Sequence, residues 1–167
     1  WCSEVCSSDL NAAINLKRHV IGTPLLESEL LNERLGGRVL FKAECLQRTG
    51  SFKIRGASNK ILCLSSKQQS QGVVAYSSGN HAQATALVGS LLGIQTHIVM
   101  PGNAPAIKLT ATRSYGGDVI EYDPDTETRE EISSRLEREH GYVSIPPYDH
   151  IEIVCGQATA ALELVEK

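Results

Sequence analysis

Two stretches of this chain combine residue types that could do chemistry. The first is Glu44-Cys45-Leu46-Gln47-Arg48-Thr49-Gly50-Ser51-Phe52-Lys53-Ile54-Arg55-Gly56-Ala57, a polar turn that ends with a lysine opening a helix. The positive end of the helix dipole disfavours an ammonium there. The same placement lowers the amine's pKa, which a lysine needs if it is to attack a carbonyl and form a Schiff base. By position alone the plainer reading stands ahead of this one: a lysine whose stem packs while its ammonium reaches solvent. The second stretch is Ser77-Ser78-Gly79-Asn80-His81-Ala82-Gln83, which follows an apolar run and opens another helix. Free backbone N–H groups and two hydroxyls at a helix start make an anion site. The glycine spacing of a dinucleotide binder and the Gly-Lys-Ser/Thr of a P-loop are both missing, so a carboxylate suits this site better than a pyrophosphate. The plainer alternative is a helix start capped by Ser or Asn.

The elements that must position these residues can be read from periodicity. Residues 8–20 have an amphipathic helical pattern, with Leu10, Ile14, Leu16 and Val20 among its apolar positions. Thr23-Pro24-Leu25-Leu26 is extended, because proline biases its predecessor away from helix. Gly36-Gly37 is a turn, 38–44 a strand and 52–64 a helix. Strands and helices then alternate: strands at 72–76, 96–100, 118–122 and 142–144, and helices at 80–92, 105–115, 126–140 and from 151 onward. This order predicts parallel pairing and an α/β fold. The strands are short apolar runs, as expected when both faces are covered.

Bulk properties narrow the function classes. The 167 residues carry a net charge of −3 without a block of like charge, which argues against nucleic acid and against a polybasic membrane patch. No window has the apolar length of a membrane span, and Trp1-Cys2-Ser3-Glu4-Val5-Cys6 does not have the form of a secretory signal. The five cysteines (Cys2, Cys6, Cys45, Cys63, Cys155) are scattered, and no histidine near Cys2 and Cys6 completes a zinc site. Reduced thiols in a cytoplasmic protein are the expectation. The chain starts at Trp1, has Met100 as its single methionine and ends in a helical pattern, so it reads as part of a longer protein.

Taken together, Thr-Gly-Ser-Phe-Lys-x-Arg-Gly-Ala and Ser-Ser-Gly-Asn-His-Ala-Gln resemble the serine racemase and serine/threonine dehydratase family, which are fold-type-II pyridoxal-phosphate enzymes. Thr23-Pro24-Leu25, Val99-Met100-Pro101, Ala104-Pro105, Tyr115-Gly116-Gly117, Arg129-Glu130 and Gly156-Gln157 fit the same pattern, so the resemblance spans nearly the whole chain. The eukaryotic serine racemases are the branch it most resembles, including the early Cys-x-x-x-Cys. The resemblance implies an α/β fold like that of the tryptophan synthase β chain. Residues 1–65 would begin a large domain, 66–144 would form a parallel-sheet small domain, and 145–167 would return to the large one. It implies that Lys53 attaches the cofactor and then acts as base on one face of the substrate Cα. Phe52 would pack beside the cofactor and Asn80 would hydrogen-bond its ring oxygen. Ser77, Ser78 and the N–H groups around Asn80 and His81 would hold the substrate carboxylate, with Ser78 on the face opposite Lys53. Lys108 and Arg129 would lie near the substrate mouth, although each also reads as a plain surface charge.

The implied chemistry is racemisation, β-elimination of water, or both, on serine or a similar small hydroxy amino acid, with threonine as an alternative. A serine at position 78 permits racemisation and does not exclude elimination. The phosphate-holding loop, the partner of the pyridine nitrogen and a divalent-cation site of the parent are expected after Lys167, and the parent is expected to be a homodimer. A second reading is a catalytically inactive fragment that acts only as a folded or interacting domain. Two departures stand out. Ala158 replaces the second glycine of Gly-Gln-Gly-Thr, which matters only if that backbone needs positive φ. The loop Pro146-Pro147-Tyr148-Asp149-His150 carries Asp149 and no serine run, which argues against an acidic substrate. His150 reads as a loop histidine before it reads as a ligand or acid.

Overall fold

The structure, a computed structural model, describes residues 2–165, with side chains from residue 8 onward; the Cys2 and Cys6 thiols lie outside that set. Helix α1 (Cys2–Leu16) is followed by an antiparallel pair, β1 (Leu25–Glu27) and β2 (Leu40–Lys42), joined through α2 (Glu29–Leu35). A 3-10 turn at Glu44–Leu46 leads to α3 (Lys53–Leu62) and α4 (Ser66–Gln71). The alternating part then runs β3 (Val73–Tyr76), α5 (Asn80–Leu92), β4 (Thr96–Pro101), α6 (Ala106–Ser114), β5 (Asp118–Tyr122), α7 (Arg129–His140), β6 (Val143–Ser144) and α8 (Ile151–Val165).

The four later strands form one sheet in the order β5-β4-β3-β6, and every pairing is parallel. The apolar runs explain why both faces are covered. Val73, Ala75, Ile98 and Met100 join the main core with Ile54, Ile61, Ala82 and Ile153. Their neighbours Val74 and Val99 point the other way and pack with Ile132 of α7. Side chains alternate across a strand, so a continuous apolar run fills a core on each side. The strand order reverses at β3: the chain moves outward to β4 and β5, then returns to β6 on the far side of β3. In open α/β sheets such a reversal leaves a crevice beyond the carboxyl ends of the strands.

The backbones of α3 and α8 touch where two glycines meet. A Cβ on Gly156 would lie 2.6 Å from Arg55 O and 2.7 Å from Gly56 Cα. No side chain fits between the helices at that point, and the contact is backbone against backbone.

The structure departs from the periodicity reading in five places. The strand expected over 38–44 shrinks to Leu40–Lys42, and Glu44 opens the 3-10 turn. The first helix ends at Leu16, and Val20 folds back with its N–H on Leu16 O (3.1 Å). Among its described side chains the buried ones are Ala12 and the expected Leu16, whereas Leu10 and Ile14 are exposed. The turn at Gly36-Gly37 is preceded by helix α2, which Ser28 caps and left-handed Gly36 stops. Helix α4 follows a Ser65–Gln68 capping box. Helix α7 starts at Arg129 rather than 126, because Thr128 and Glu131 form its capping box.

Candidate functional site

Lys53 is the first residue of α3 and is half-buried. The turn before it is fixed by Gly50, left-handed at φ 69°, and by Gln47, whose side chain bonds both Ile21 N (2.9 Å) and Ile21 O (2.8 Å). The Lys53 ammonium donates to Pro147 O at 2.7 Å. Removal from solvent lowers its pKa below the usual lysine value. The Phe52 ring is exposed beside it, with Nζ 5.4 Å from the ring centroid. Both residues line an open cleft of about 470 Å³ with Pro147, Tyr148, Gln157 and Ala158.

The Ser77–Asn80 loop leaves the carboxyl end of β3, the strand at which the sheet order reverses. Ser77 Oγ accepts from Gly79 N (3.2 Å), which tightens the turn. The first helical bond of α5 is Gln83 N to Gly79 O at 3.3 Å. The N–H groups of Asn80, His81 and Ala82 precede it and have no helical partner. Ser78 and Asn80 are exposed, and neither side chain has a hydrogen bond among the described residues.

His81 behaves differently from its loop neighbours. Its side chain is 2% exposed, and Nε2 donates to Ile145 O (2.9 Å), while Nδ1 is buried without a partner. That arrangement fits a neutral ring. Burial, assisted by the nearby Lys53 charge, lowers its pKa to about 4, although the bond to Ile145 O opposes the shift. Only the backbone N–H of His81 is available to the loop.

One short segment ties the two stretches together. His81 bonds Ile145 O and Lys53 bonds Pro147 O, two residues further along the chain that leaves β6. Lys53 and the start of α5 are therefore tied to the same segment after β6, although no residue of the Ser77–His81 loop lines the cleft beside Lys53.

Two further cations lie at the carboxyl end of β3 and the loop that leaves it. Lys108 Nζ lies 3.8 Å from where a Cβ on Gly79 would be. The Arg129 guanidinium sits 5.3 Å from the centroid of Tyr76, the last residue of β3, and bonds Glu130 (2.8 Å). His150 lies between Lys60 (Nζ to Nε2, 3.0 Å) and Glu152, away from the cleft lining. Ala158 lies inside α8, and Asp149 (φ 48°) is the only described non-glycine residue with positive φ, so the extra methyl is borne by helical backbone.

Periodicity and motif spacing gave no role to three groups that shape the site. The carbonyls of Ile145 and Pro147 have no side-chain signature. Gln157 caps α3 from the side, its Oε1 accepting from Gly56 N (3.2 Å). Arg55 is fully buried on Glu44, Glu163 and Thr159. A charged residue flanked by Ile54 and Gly56-Ala57 within a helix was the one available signal for it.

The profile of the pyridoxal-phosphate dependent enzyme family matches residues 16–167. The L-threo-3-hydroxyaspartate ammonia-lyase of Saccharomyces cerevisiae is 50% identical over 158 residues, 95% of this chain and 48% of the relative. The serine racemase of Schizosaccharomyces pombe is 43% identical, covering 94% of this chain and 49% of the relative. Among solved structures, maize serine racemase superposes with a TM-score of 0.93 at 44% identity, over 96% of this chain and 49% of that one. The chain thus spans about half the length of the curated relatives it matches.

Proposed function

This chain belongs to the family of pyridoxal-phosphate dependent enzymes, and we propose that it is the lysine-bearing, carboxylate-binding half of an enzyme that racemises or dehydrates serine or a similar small hydroxy amino acid. The observation that carries the reading is the convergence of Lys53 and the Ser77–His81 loop on residues 145–147 at the crevice beyond β3. The residues present fit the cofactor: a half-buried amine with a lowered pKa, a ring-sized apolar cleft beside it, and helix-start amides with no internal partner. When bound, pyridoxal phosphate withdraws electrons from the substrate Cα.

The rest of the chemistry falls to side chains of this chain. Lys53 is the attachment amine and then the base that removes and returns the Cα proton on its own face. Its lowered pKa raises the fraction of free amine near neutral pH. Ser78, exposed and unbonded, is the acid and base on the other face. The amides of Asn80 and His81 would hold the substrate carboxylate with Ser77, and the Asn80 side chain would bond the cofactor's ring oxygen. Phe52 would pack beside the ring, while Lys108 and Arg129 would add positive charge at the mouth. Residues 1–65 and 145–167 would belong to one domain and 66–144 to a second, with the site in the crevice between β3 and β6.

A second substrate has an observation in its favour. Lys108 beside Gly79 suits a second carboxylate, and a 50%-identical relative is an L-threo-3-hydroxyaspartate ammonia-lyase. Asp149 on the cleft wall opposes it, so serine is placed first.

The test has two parts. The chain is incubated with pyridoxal phosphate, reduced with borohydride and mapped by mass spectrometry. Label is expected on Lys53, and Lys53→Ala should lose it; equal labelling of surface lysines and none at Lys53 would sink the reading. In the complete enzyme, Ser78→Ala should abolish racemisation and keep most of the elimination, and parallel loss of both would remove Ser78 from the opposite face. Comparing serine with threo-3-hydroxyaspartate in wild type and Lys108→Ala separates the two substrates.

A further inference from the structure

The most heavily bonded side chain in the described protein does not face the cleft. Arg55 is 0% exposed. Its Nε and Nη2 donate to the two oxygens of Glu44 at 2.9 and 2.8 Å. Its Nη1 and Nη2 donate to the two oxygens of Glu163 at 2.6 and 3.0 Å. Thr159 Oγ1 and Ile21 O accept further bonds at 3.1 and 3.4 Å. Thr23 Oγ1 donates to Glu44 (2.6 Å), and Lys42 Nζ reaches both Glu163 (2.5 Å) and Thr23 O (2.6 Å). Two cations and two anions therefore close a neutral network that joins the segment 21–23, the end of β2, α3 and α8. Burial, the largest single influence, would raise the carboxyl groups of Glu44 and Glu163, but the hydrogen bonds and charges of Arg55 together with Thr23 (on Glu44) and Lys42 outweigh it and hold both below the usual range.

Stability alone does not account for such a network, because well-packed apolar residues of the same volume often do as well or better. A planar guanidinium held by two carboxylates does what apolar packing does not: it fixes one orientation. That matters at this crossing. Where Gly56 meets Gly156 the α3–α8 contact is backbone on backbone, and the bonds of Gln157 to Gly56 N (3.2 Å) and of Asn59 to Glu152 O (2.8 Å) are single neutral ones, whereas Arg55 grips α8 through a charged fork on Glu163. Arg55 lies two positions after Lys53, a rotation of roughly 200° on a helix, so the two side chains leave α3 on opposite sides.

We propose that Arg55 is a positioning residue for Lys53: held between Glu44 and Glu163, it sets the rotation of the first turn of α3 so that the lysine amine projects into the cleft beside Pro147. The proposal rests on the reading of Lys53 as the attachment amine. Loosening the network lets the first turn rotate and hydrates the amine.

The test follows the reactivity of Lys53 rather than turnover. The full chain is exposed to pyridoxal phosphate across a pH series and reduced with borohydride, and the extent of label on Lys53 is read by peptide mapping. Two variants are compared with wild type. Glu44→Gln/Arg55→Met removes one charge of each sign and leaves the Lys42–Glu163 pair intact. Arg55→Lys keeps the charge but loses the fork. Circular dichroism identifies folded variants. In folded variants the labelling midpoint should move about one pH unit toward that of an ordinary lysine, with roughly tenfold less label near neutral pH. If the double variant fails to fold, Arg55→Lys alone decides the matter. A folded variant with the wild-type midpoint and rate overturns the proposal and leaves Arg55 as a stabilising residue. Absence of Lys53 label in wild type refutes the Lys53 reading itself, so the two failures are distinguishable.

Discussion

Replacing Gly156 with alanine tests the α3–α8 contact that carries the candidate site. The new Cβ would lie 2.6 Å from Arg55 O, 2.7 Å from Gly56 Cα and 2.9 Å from Arg55 C. All three are backbone atoms, so no side chain can turn aside. Carbon contacts settle near 3.5–4.0 Å, so the helices must part by about 1 Å. Overpacking of this kind costs about 1–3 kcal/mol, and the better helix propensity of alanine returns about 1 kcal/mol. The net expectation is a loss of about 0–2 kcal/mol, at the upper end because the obstacle is backbone. Parting the helices also strains the Gly56 N–Gln157 bond (3.2 Å) and the Arg55–Glu163 bonds, both within a turn of Lys53. Chemical denaturation of Gly156→Ala and wild type measures the difference. Ala158→Gly, two residues along the same helix, is the control and should cost only the propensity difference of about 1 kcal/mol. A Gly156→Ala variant as stable as wild type, or more stable, would mean that the helices are not in backbone contact and would remove the frame on which Lys53 is placed.

Other expectations concern pH and helix ends. His81 is buried with its pKa lowered to about 4, below the ordinary value of 6.5. The unfolded chain therefore takes up a proton that the native state refuses, and stability falls as pH drops from about 6.5 toward 4. The full effect is on the order of 3 kcal/mol; denaturation at pH 7 and pH 5 should show the slope in wild type but not in His81→Gln, and an equal slope in both would refute the buried neutral ring. Thr128→Ala removes the capping box of α7 and should cost about 1 kcal/mol in the same assay; no change would mean that the start of α7 is not fixed there.

How much of this was legible in the sequence follows from the range of each interaction. The helix over 80–92 and the strand over 118–122 match the structure residue for residue, because local periodicity and flanking glycines determine them. The parallel sheet followed from the alternation of strand and helix. Its reversal at β3 did not, since strand order depends on contacts between residues far apart in the chain. The face of α1 was only partly legible for the same reason: Leu16 is buried and Val20 packs on the core as expected, but Ala12 is buried because α8 and α3 pack there, and Leu10 and Ile14 are apolar without being covered.

The candidate site divides in the same way. The sequence by itself marked Lys53 and the Ser77–Gln83 loop, because a helix-opening lysine and a run of hydroxyls and glycine before a helix are local signatures. It contained Arg55 and Gln157 without indicating their partners, Glu163 and Gly56, which lie 108 and 101 residues away. It was silent on Pro147 O and Ile145 O, because backbone carbonyls are the same at every residue and acquire a role only from what folding brings to them. Local chemistry was written in the order of residues. The rotation of α3, the low pKa of His81 and the tie of the two stretches to one segment were decided by tertiary structure, because each depends on burial against distant parts of the chain.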